Sequence, residues 1–348
     1  MDNKEYLNFA CVNYKTAPVP ECYDFKGSQD YIKWGEDNKF PIYLFDNYLK
    51  NSNLQSAVNT LCDYIIGEGI ETDFERINDN GESLSDILVK SIFDYILFGG
   101  FCLEGIRNAK GDIVRLNYLN VQNVRVNEEL TTAYISNNWS VWNRKALYQL
   151  PLFKANEVQD HFVFYFRGSI TRNINPVPIY VSALKSIEIL NQTRNFHLHN
   201  LTNNFTGSVL VALNGTSIKS SELQEIKAQL EGEYTGTDNA GKVMLVNNAN
   251  ADGKIEINRL SADNAGDLYQ QLAESSVDDI FVAFRMNPIL VGKNVSTGFS
   301  KQEFQQAYSL FNSTVILPIK KTIQKELSKL GVNITFKDFK IDWTEDGE

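Results

Sequence analysis

An α+β fold is predicted by three observations. Apolar residues recur at helical spacing in several long segments. The period switches to alternation immediately after Gly99-Gly100. A short unit of strand, helix and two strands falls between two long helical stretches.

The elements follow in order. Residues 1 to 45 read as an N-terminal arm, because Pro18, Pro20 and Gly27 interrupt any periodicity over the first forty or so positions. Ser52 followed by Gln55 makes a capping box for a helix carrying Leu54, Val58, Leu61 and Ile65, which Gly67 and Gly69 stop. Residues 76 to 81 are polar and loop-like. From Ser83 a second amphipathic helix runs through Leu84, Ile87, Leu88, Ile92, Tyr95 and Ile96 to the double glycine. Residues 101–107 and 113–119 then alternate around a turn in which Gly111 supplies the positive φ, so they read as a hairpin. Val124 to Val126 and Val163 to Phe166 are further strands.

A helix is expected from Pro178, with proline in its first turn and Ile179, Ala183, Ile187 and Leu190 on one face, continuing to Asn203. Residues 206–262 form the small unit: a strand from Val209 to Leu213, a helix from about Ser220 or Ser221, and strands at 243–246 and 255–257. A second long helix, 264–285, carries Leu268, Leu272, Ile280, Phe281 and Phe284 on one face. Pro288 ends it. The polar stretch 293–300 has too little apolar surface to bury itself, so it faces solvent or a partner. The longest helix, 301–330, carries Phe304, Tyr308, Phe311, Val315, Ile319, Ile323 and Leu327, and Pro318 should kink it. Residues 332–343 alternate like a strand.

Composition narrows the function. At 348 residues the chain supports more than one core, and no run of about 18 apolar residues predicts a membrane span. The N-terminus lacks a secretory pattern, so the expected compartment is the cytoplasm. Four scattered cysteines, Cys11, Cys22, Cys62 and Cys102, read as ordinary thiols, with Cys62 and Cys102 in the core. His197 and His199 stand two apart and do not share a helical face, so no metal site is expected. A net charge of −10 speaks against a general basic grip on nucleic acid, though not against a surface along which DNA slides. Phosphate-loop, serine-hydrolase and zinc-protease motifs are missing, which leaves an enzyme little support and implies no cofactor.

The phrase Val282-Ala-Phe-Arg-Met-Asn-Pro-Ile-Leu-Val-Gly292 resembles the portal proteins of tailed bacteriophages, where a helix ending in such a phrase leads into a loop lining a DNA channel. Further landmarks occur in the family's order: the Gly99-Gly100 hairpin, the long helix entering the strand at 209, the stretch Tyr234 to Val246, and Ile316-Leu-Pro-Ile319. One departure is Asn173-Ile-Asn-Pro176, where portals usually carry Gly-x-Ser-Pro.

The resemblance implies a portal fold with an N-terminal arm (1–45), a wing (46–177 and 302–348) and a first stem helix (178–205). A clip (206–262), a second stem helix (263–287) and a tunnel loop (288–301) complete it, with almost no crown. It implies that Gly292, Lys293, Asn294, Val295, Ser296, Thr297, Gly298, Phe299 and Ser300 project into the channel. Ser221, Glu222, Glu225, Tyr234, Asn239 and Lys242 on the clip would face the terminase or an adaptor. Ile187, Leu190, Leu268 and Leu272 would make stem contacts between subunits. The implied partners are further copies in a ring, as a dodecamer in the virion, together with double-stranded DNA bound without sequence preference. The terminase large subunit, a head-tail adaptor and the major capsid or scaffold protein complete the set, with assembly in the bacterial host cytoplasm. Lys320, Lys321 and Lys325 read as a solvated helix face rather than a DNA contact. The alternatives are another phage ring, adaptor or scaffold protein, or a cytoplasmic enzyme.

Overall fold

The computed structural model describes residues 8–11, 20–27, 30–139, 148–168, 172–203, 208–214, 243–248, 255–260, 265–293 and 301–340. In chain order its elements begin with β1 (Asn8–Cys11), β2 (Asp24–Lys26), β3 (Ile32–Trp34), α1 (Phe40–Lys50), α2 (Ser52–Ile66), β4 (Ile70–Thr72) and α3 (Leu84–Phe98). They continue as β5 (Gly100–Arg107), β6 (Ile113–Leu119), β7 (Val124–Val126), β8 (Thr132–Ile135), β9 (Tyr148–Pro151) and β10 (His161–Arg167). Next come α4 (Leu184–Asn203), β11 (Ser208–Asn214), β12 (Val243–Asn248), β13 (Ile255–Leu260) and α5 (Ala265–Ala283). The last are α6 (Lys301–Phe311), α7 (Leu317–Ser328) and β14 (Ile334–Phe336). The expected mixture of helices and sheets is therefore present. The chain divides into two compact units, one of Pro20–Ile187 with Asp278–Glu348 and one of Met1–Val19 with Glu188–Val277.

In the larger unit the apolar stripe of α2 packs on α3, and α3 lies against the sheet β10-β5-β6. Leu54, Val58, Leu61 and Ile65 are fully buried, as are Ile96 and Phe98 of α3. The α2 start corrects the Ser52 capping box: Asn51 is the cap, its side chain accepting from the backbone of Asn53 and Leu54. For α3 the reciprocal box does exist, between Ser83 and Asp86, and Gly99 in the left-handed region ends the helix. The expected hairpin is β5 and β6, joined through Gly111 at φ +89°, and β10 pairs antiparallel along the other edge of β5. Cys62 and Cys102 are buried free thiols, in keeping with core roles.

The arm reading fails from residue 20 onward. Trp34 and Phe40 are fully buried, β2 pairs with β3, and α1 begins at Phe40. Arg125 of β7 holds this segment from inside. Its Nε donates to Asn38 Oδ1 at 2.6 Å and its Nη2 to the Asn38 carbonyl at 3.1 Å, while the Trp34 ring lies 5.4 Å from the guanidinium carbon. Pairing across about ninety residues of sequence, as here, leaves no local period to read. Two other short sheets, β7-β8-β9 and β14-β4, complete the unit.

Asp94 on α3 is a buried carboxylate, with Tyr118 donating to Oδ2 at 2.9 Å and the Val121 N–H at 3.2 Å. Burial outweighs these two donors and pushes its pKa up to about 7. The folded chain thus keeps a proton that the unfolded chain has already lost. That contribution is complete below the ordinary carboxylate pKa and disappears as pH rises through about 7. Thermal melts should show about 2 to 3 kcal/mol less stability at pH 8 than at pH 5 from this group. Asp94→Asn should lack that increment, so the stability difference between wild type and variant should change by this amount between pH 5 and pH 8; parallel curves would refute the assignment.

In the smaller unit the sheet order is β1-β12-β11-β13, with β11 parallel to β12 and the other pairs antiparallel. A parallel pair needs a crossover connection. The helix expected near Ser221 falls in that connection, outside the described residues. The three expected strands are present. Residues 8–11 of the supposed arm are an added edge strand on β12, a second correction, since pairing with residues 244–247 is as non-local as a contact can be.

The first long helix starts later than expected. Asn173 to Tyr180 is not helical; a 3-10 turn at Val181–Ala183 precedes Leu184. Asn175 and Val177 each precede a proline and are pushed away from the helical region. The Asp24 carboxylate fixes the stretch by accepting from the backbone of Ile174 and Asn175 and from the Asn175 side chain. Where the resemblance leads one to expect a glycine turn, the chain has a side-chain brace.

Between α6 and α7 the helix passes through a π-helical stretch, Asn312–Ile316, in which the Leu317 N–H reaches back to Asn312 O. The irregularity expected at Pro318 takes this form. Widening the turn just before a residue that has no N–H to donate removes the carbonyl clash a regular helix would suffer.

Candidate functional site

The loop singled out by the sequence leaves the end of α5. Arg285 adopts φ +53°, a left-handed position usually given to glycine, and the Met286 N–H reaches back to Phe281 O at 2.9 Å. Asn287 then caps a short 3-10 helix, Pro288–Val291, by accepting from the Ile289 N–H at 3.0 Å. Gly292 closes it at φ +74°, a conformation glycine adopts without steric cost, and the Lys293 N–H bonds to Pro288 O. Leu290 is buried, so this part of the 288–301 loop is a built foot. The Lys293 ammonium sits 5.7 Å from the centre of the Phe281 ring. Asn294, Val295, Ser296, Thr297, Gly298, Phe299 and Ser300 lie outside the described residues.

On the far side of the loop, α6 opens at Lys301 and buries Phe304 and Phe311. Tyr64, from α2, meets both sides. Its hydroxyl donates to Leu290 O at 3.0 Å, and its ring stands edge-on to Tyr308 at 5.2 Å. The sequence stripe of α2 passed over this tyrosine. A buried phenol needs a hydroxyl partner, which is the one clue the sequence held.

The ends of the two long helices that lie in the larger unit meet. Ser186 of α4 donates to Asp279 of α5 at 2.7 Å, and Tyr180, just before α4, stacks on Phe284 at 5.2 Å with 12° between planes. The Tyr180 hydroxyl also donates to Leu97 O at 2.8 Å, satisfying a carbonyl near the end of α3. Sequence reasoning missed Tyr180, Ser186 and Asp279, since none of them belongs to an apolar stripe.

Of the four residues expected to make contacts between subunits, Ile187 and Leu190 are buried within the chain itself. Leu272 is 43% exposed and presents apolar surface outward. Leu268 lies on α5, with its side chain outside the described residues. Ser221, Glu222, Glu225, Tyr234, Asn239 and Lys242 also lie outside them. Lys320 departs from the solvated-face reading: it is 5% exposed, 3.5 Å from Asp338 and over the Phe336 ring. Among the described residues no group of three or more His, Cys, Asp or Glu side chains could hold a metal ion.

A sequence model described as phage portal protein matches residues 76–346. No curated protein matches the chain. The fold is similar to a chain in the virion of a native gene transfer agent particle, at 13% identity, covering 92% of this chain and 87% of that one, with a TM-score of 0.56. A chain in the neck of an empty particle of that kind, computed with C6 symmetry, shows 14% identity over 92% and 87% of the two chains, with a TM-score of 0.56. An HK97 family phage portal protein from Corynebacterium diphtheriae shares 9% identity over 84% of this chain and 94% of that chain, with a TM-score of 0.52. At these identities the likeness is one of fold.

Proposed function

We propose, because the chain belongs to the phage portal protein family, that copies of it close into a ring at a capsid vertex and that double-stranded DNA passes through that ring during packaging and ejection. The observation that carries this reading is the convergence of the α4 and α5 feet at Ser186–Asp279 and Tyr180–Phe284. Two helices that bracket an inserted module and meet at their feet are what a stem requires, and Arg285 to Lys293 follows directly on the second of them. A duplex is roughly 20 Å across, so one such pair cannot enclose it and rotational assembly is the usual solution.

In this reading α4 and α5 are stem helices, the small unit is the clip and 292–300 is the tunnel loop. The net charge of −10 on each copy, multiplied around a dodecamer, discourages phosphate from adhering to the wall, while Lys293 allows transient, sequence-independent contact. Leu272 is the stem residue best suited to bury against a neighbouring copy. The clip residues named above would face the terminase large subunit, which would carry the ATP chemistry, or a head-tail adaptor. Capsid or scaffold protein would surround the ring in the virion, after assembly in the bacterial cytoplasm. The role is structural rather than catalytic.

Size-exclusion chromatography with negative-stain imaging of the purified chain tests the assembly. A ring with a stem and a central channel is the expected particle. A compact monomer would reopen the enzyme alternative, and a ring without a stem would favour an adaptor. Deleting Thr297 to Phe299 should leave the ring intact and impair packaging or retention of DNA; unimpaired packaging would remove the special status of this loop.

A further inference from the structure

Tyr64 stands near the C-terminal end of α2 and is 5% exposed. Its hydroxyl donates at 3.0 Å to Leu290 O, in the 3-10 helix that leads into Gly292. Its ring meets Tyr308 at 5.2 Å and Phe311 at 6.4 Å, both on the first helix after the loop. A third ring, Phe339, stands edge-on at 4.8 Å. The C-terminal segment is pressed against the same helix end, because a Cβ on Gly67 would fall 2.1 Å from Lys337 O.

Three other parts of the chain therefore converge on this one side chain of α2: the turn before the loop, the helix after it, and the segment following β14. The polar end of that side chain holds one foot of the loop and the apolar body holds the other. We infer that Tyr64 is a positioning residue that clamps both feet of the 292–300 loop and fixes the distance the loop must span. For its importance to DNA passage, this inference rests on the channel reading proposed above.

A phenol suits such a clamp. It is rigid, with two side-chain torsions, and its hydroxyl can donate to a buried carbonyl while both ring faces and edges stay in apolar contact. Burial and the neighbouring Tyr308 push its pKa up to about 12, so the hydroxyl retains the proton it donates throughout the neutral range. The foot itself offers three reporters, the N–H groups of Leu290, Gly292 and Lys293, bonded to Asn287, Ile289 and Pro288 carbonyls.

The test is hydrogen exchange on the full chain, comparing wild type with Tyr64→Phe and Tyr64→Leu. Tyr64→Phe keeps the ring contacts and loses the hydroxyl, so exchange at Leu290, Gly292 and Lys293 should rise about fivefold while α3 keeps its wild-type protection. Tyr64→Leu should loosen residues 301–311 as well. Unchanged exchange at 290–293 in Tyr64→Phe overturns the clamp. Acceleration that extends equally through α3 also overturns it, since that is general loss of stability. Particles carrying Tyr64→Phe should leak packaged DNA faster. A loosened foot with normal DNA retention would leave the clamp standing and overturn the channel role of the loop.

Discussion

Gly99→Ala is expected to prevent stable folding of the larger unit, at a cost of more than about 4 kcal/mol. Gly99 has φ +88°, and a Cβ there would stand 2.2 Å from the Val177 carbonyl oxygen and 2.8 Å from the Pro178 nitrogen. The obstructing atoms are backbone, in a stretch flanked by Pro176 and Pro178 and braced by Asp24, so they have little freedom to retreat. Gly100 is equally confined, its Cβ position lying 2.4 Å from Phe166 O. The end of α3, the start of β5 and the segment entering α4 thus share one crowded point. Gly81→Ala separates strain from collision, since Gly81 has φ +79° with nothing within 4 Å of its Cβ position. That substitution should cost only about 1 kcal/mol. Melting temperatures and soluble yield of the two variants decide the matter: similar losses would show that the positive φ, and not the close approach, is what Gly99 supplies.

This point also shows what the sequence could and could not reveal. Gly99-Gly100 marked the change of period from helix to hairpin, because that change is written in neighbouring residues. It did not disclose that the same glycines admit the approach to α4, because Val177 is far away in sequence. The longer elements α3, β5, β6, α5 and α6 were legible for the same local reason. The strands β2, β3 and β4 have three residues each, too few for a period, whereas β14 falls inside the alternation read over 332–343 and pairs with β4 across the chain. The start of α4 was misplaced because proline at a helix start and proline in an extended brace look alike until Asp24 is seen to hold Asn175. At the candidate site the sequence marked the end of α5 at Pro288 and the turn that closes at Gly292. It did not identify Tyr64, whose role depends on a carbonyl more than two hundred residues downstream.

Arg125→Met should destabilise the larger unit by about 3 to 5 kcal/mol, although methionine preserves most of the apolar stem. The guanidinium is buried, and among the described residues no carboxylate is paired with it. Its Nη1 donates to the Gln122 and Val124 carbonyls at 2.9 and 2.7 Å, and Nε and Nη2 donate one bond each to Asn38, whose own φ is +62°. The rings of Trp34 and Trp139 lie 5.4 and 4.8 Å from its central carbon. Burial lowers its pKa to about 9, which still leaves the charge in place at neutral pH. Carbonyl dipoles and indole faces therefore offset a desolvated cation that an acidic partner would otherwise balance. Removing it takes a donor from the Gln122, Val124 and Asn38 carbonyls and leaves the Asn38 carboxamide oxygen with the Trp34 backbone N–H alone. Arg125→Lys should be nearly as harmful, since an ammonium cannot present the planar fork that reaches Asn38 and the β7 carbonyls together. A double-mutant cycle with Asn38→Ala should give a coupling above about 1.5 kcal/mol. Additive effects, or an Arg125→Met variant that melts like wild type, would mean that the N-terminal segment is held by the burial of Trp34 and Phe40 alone.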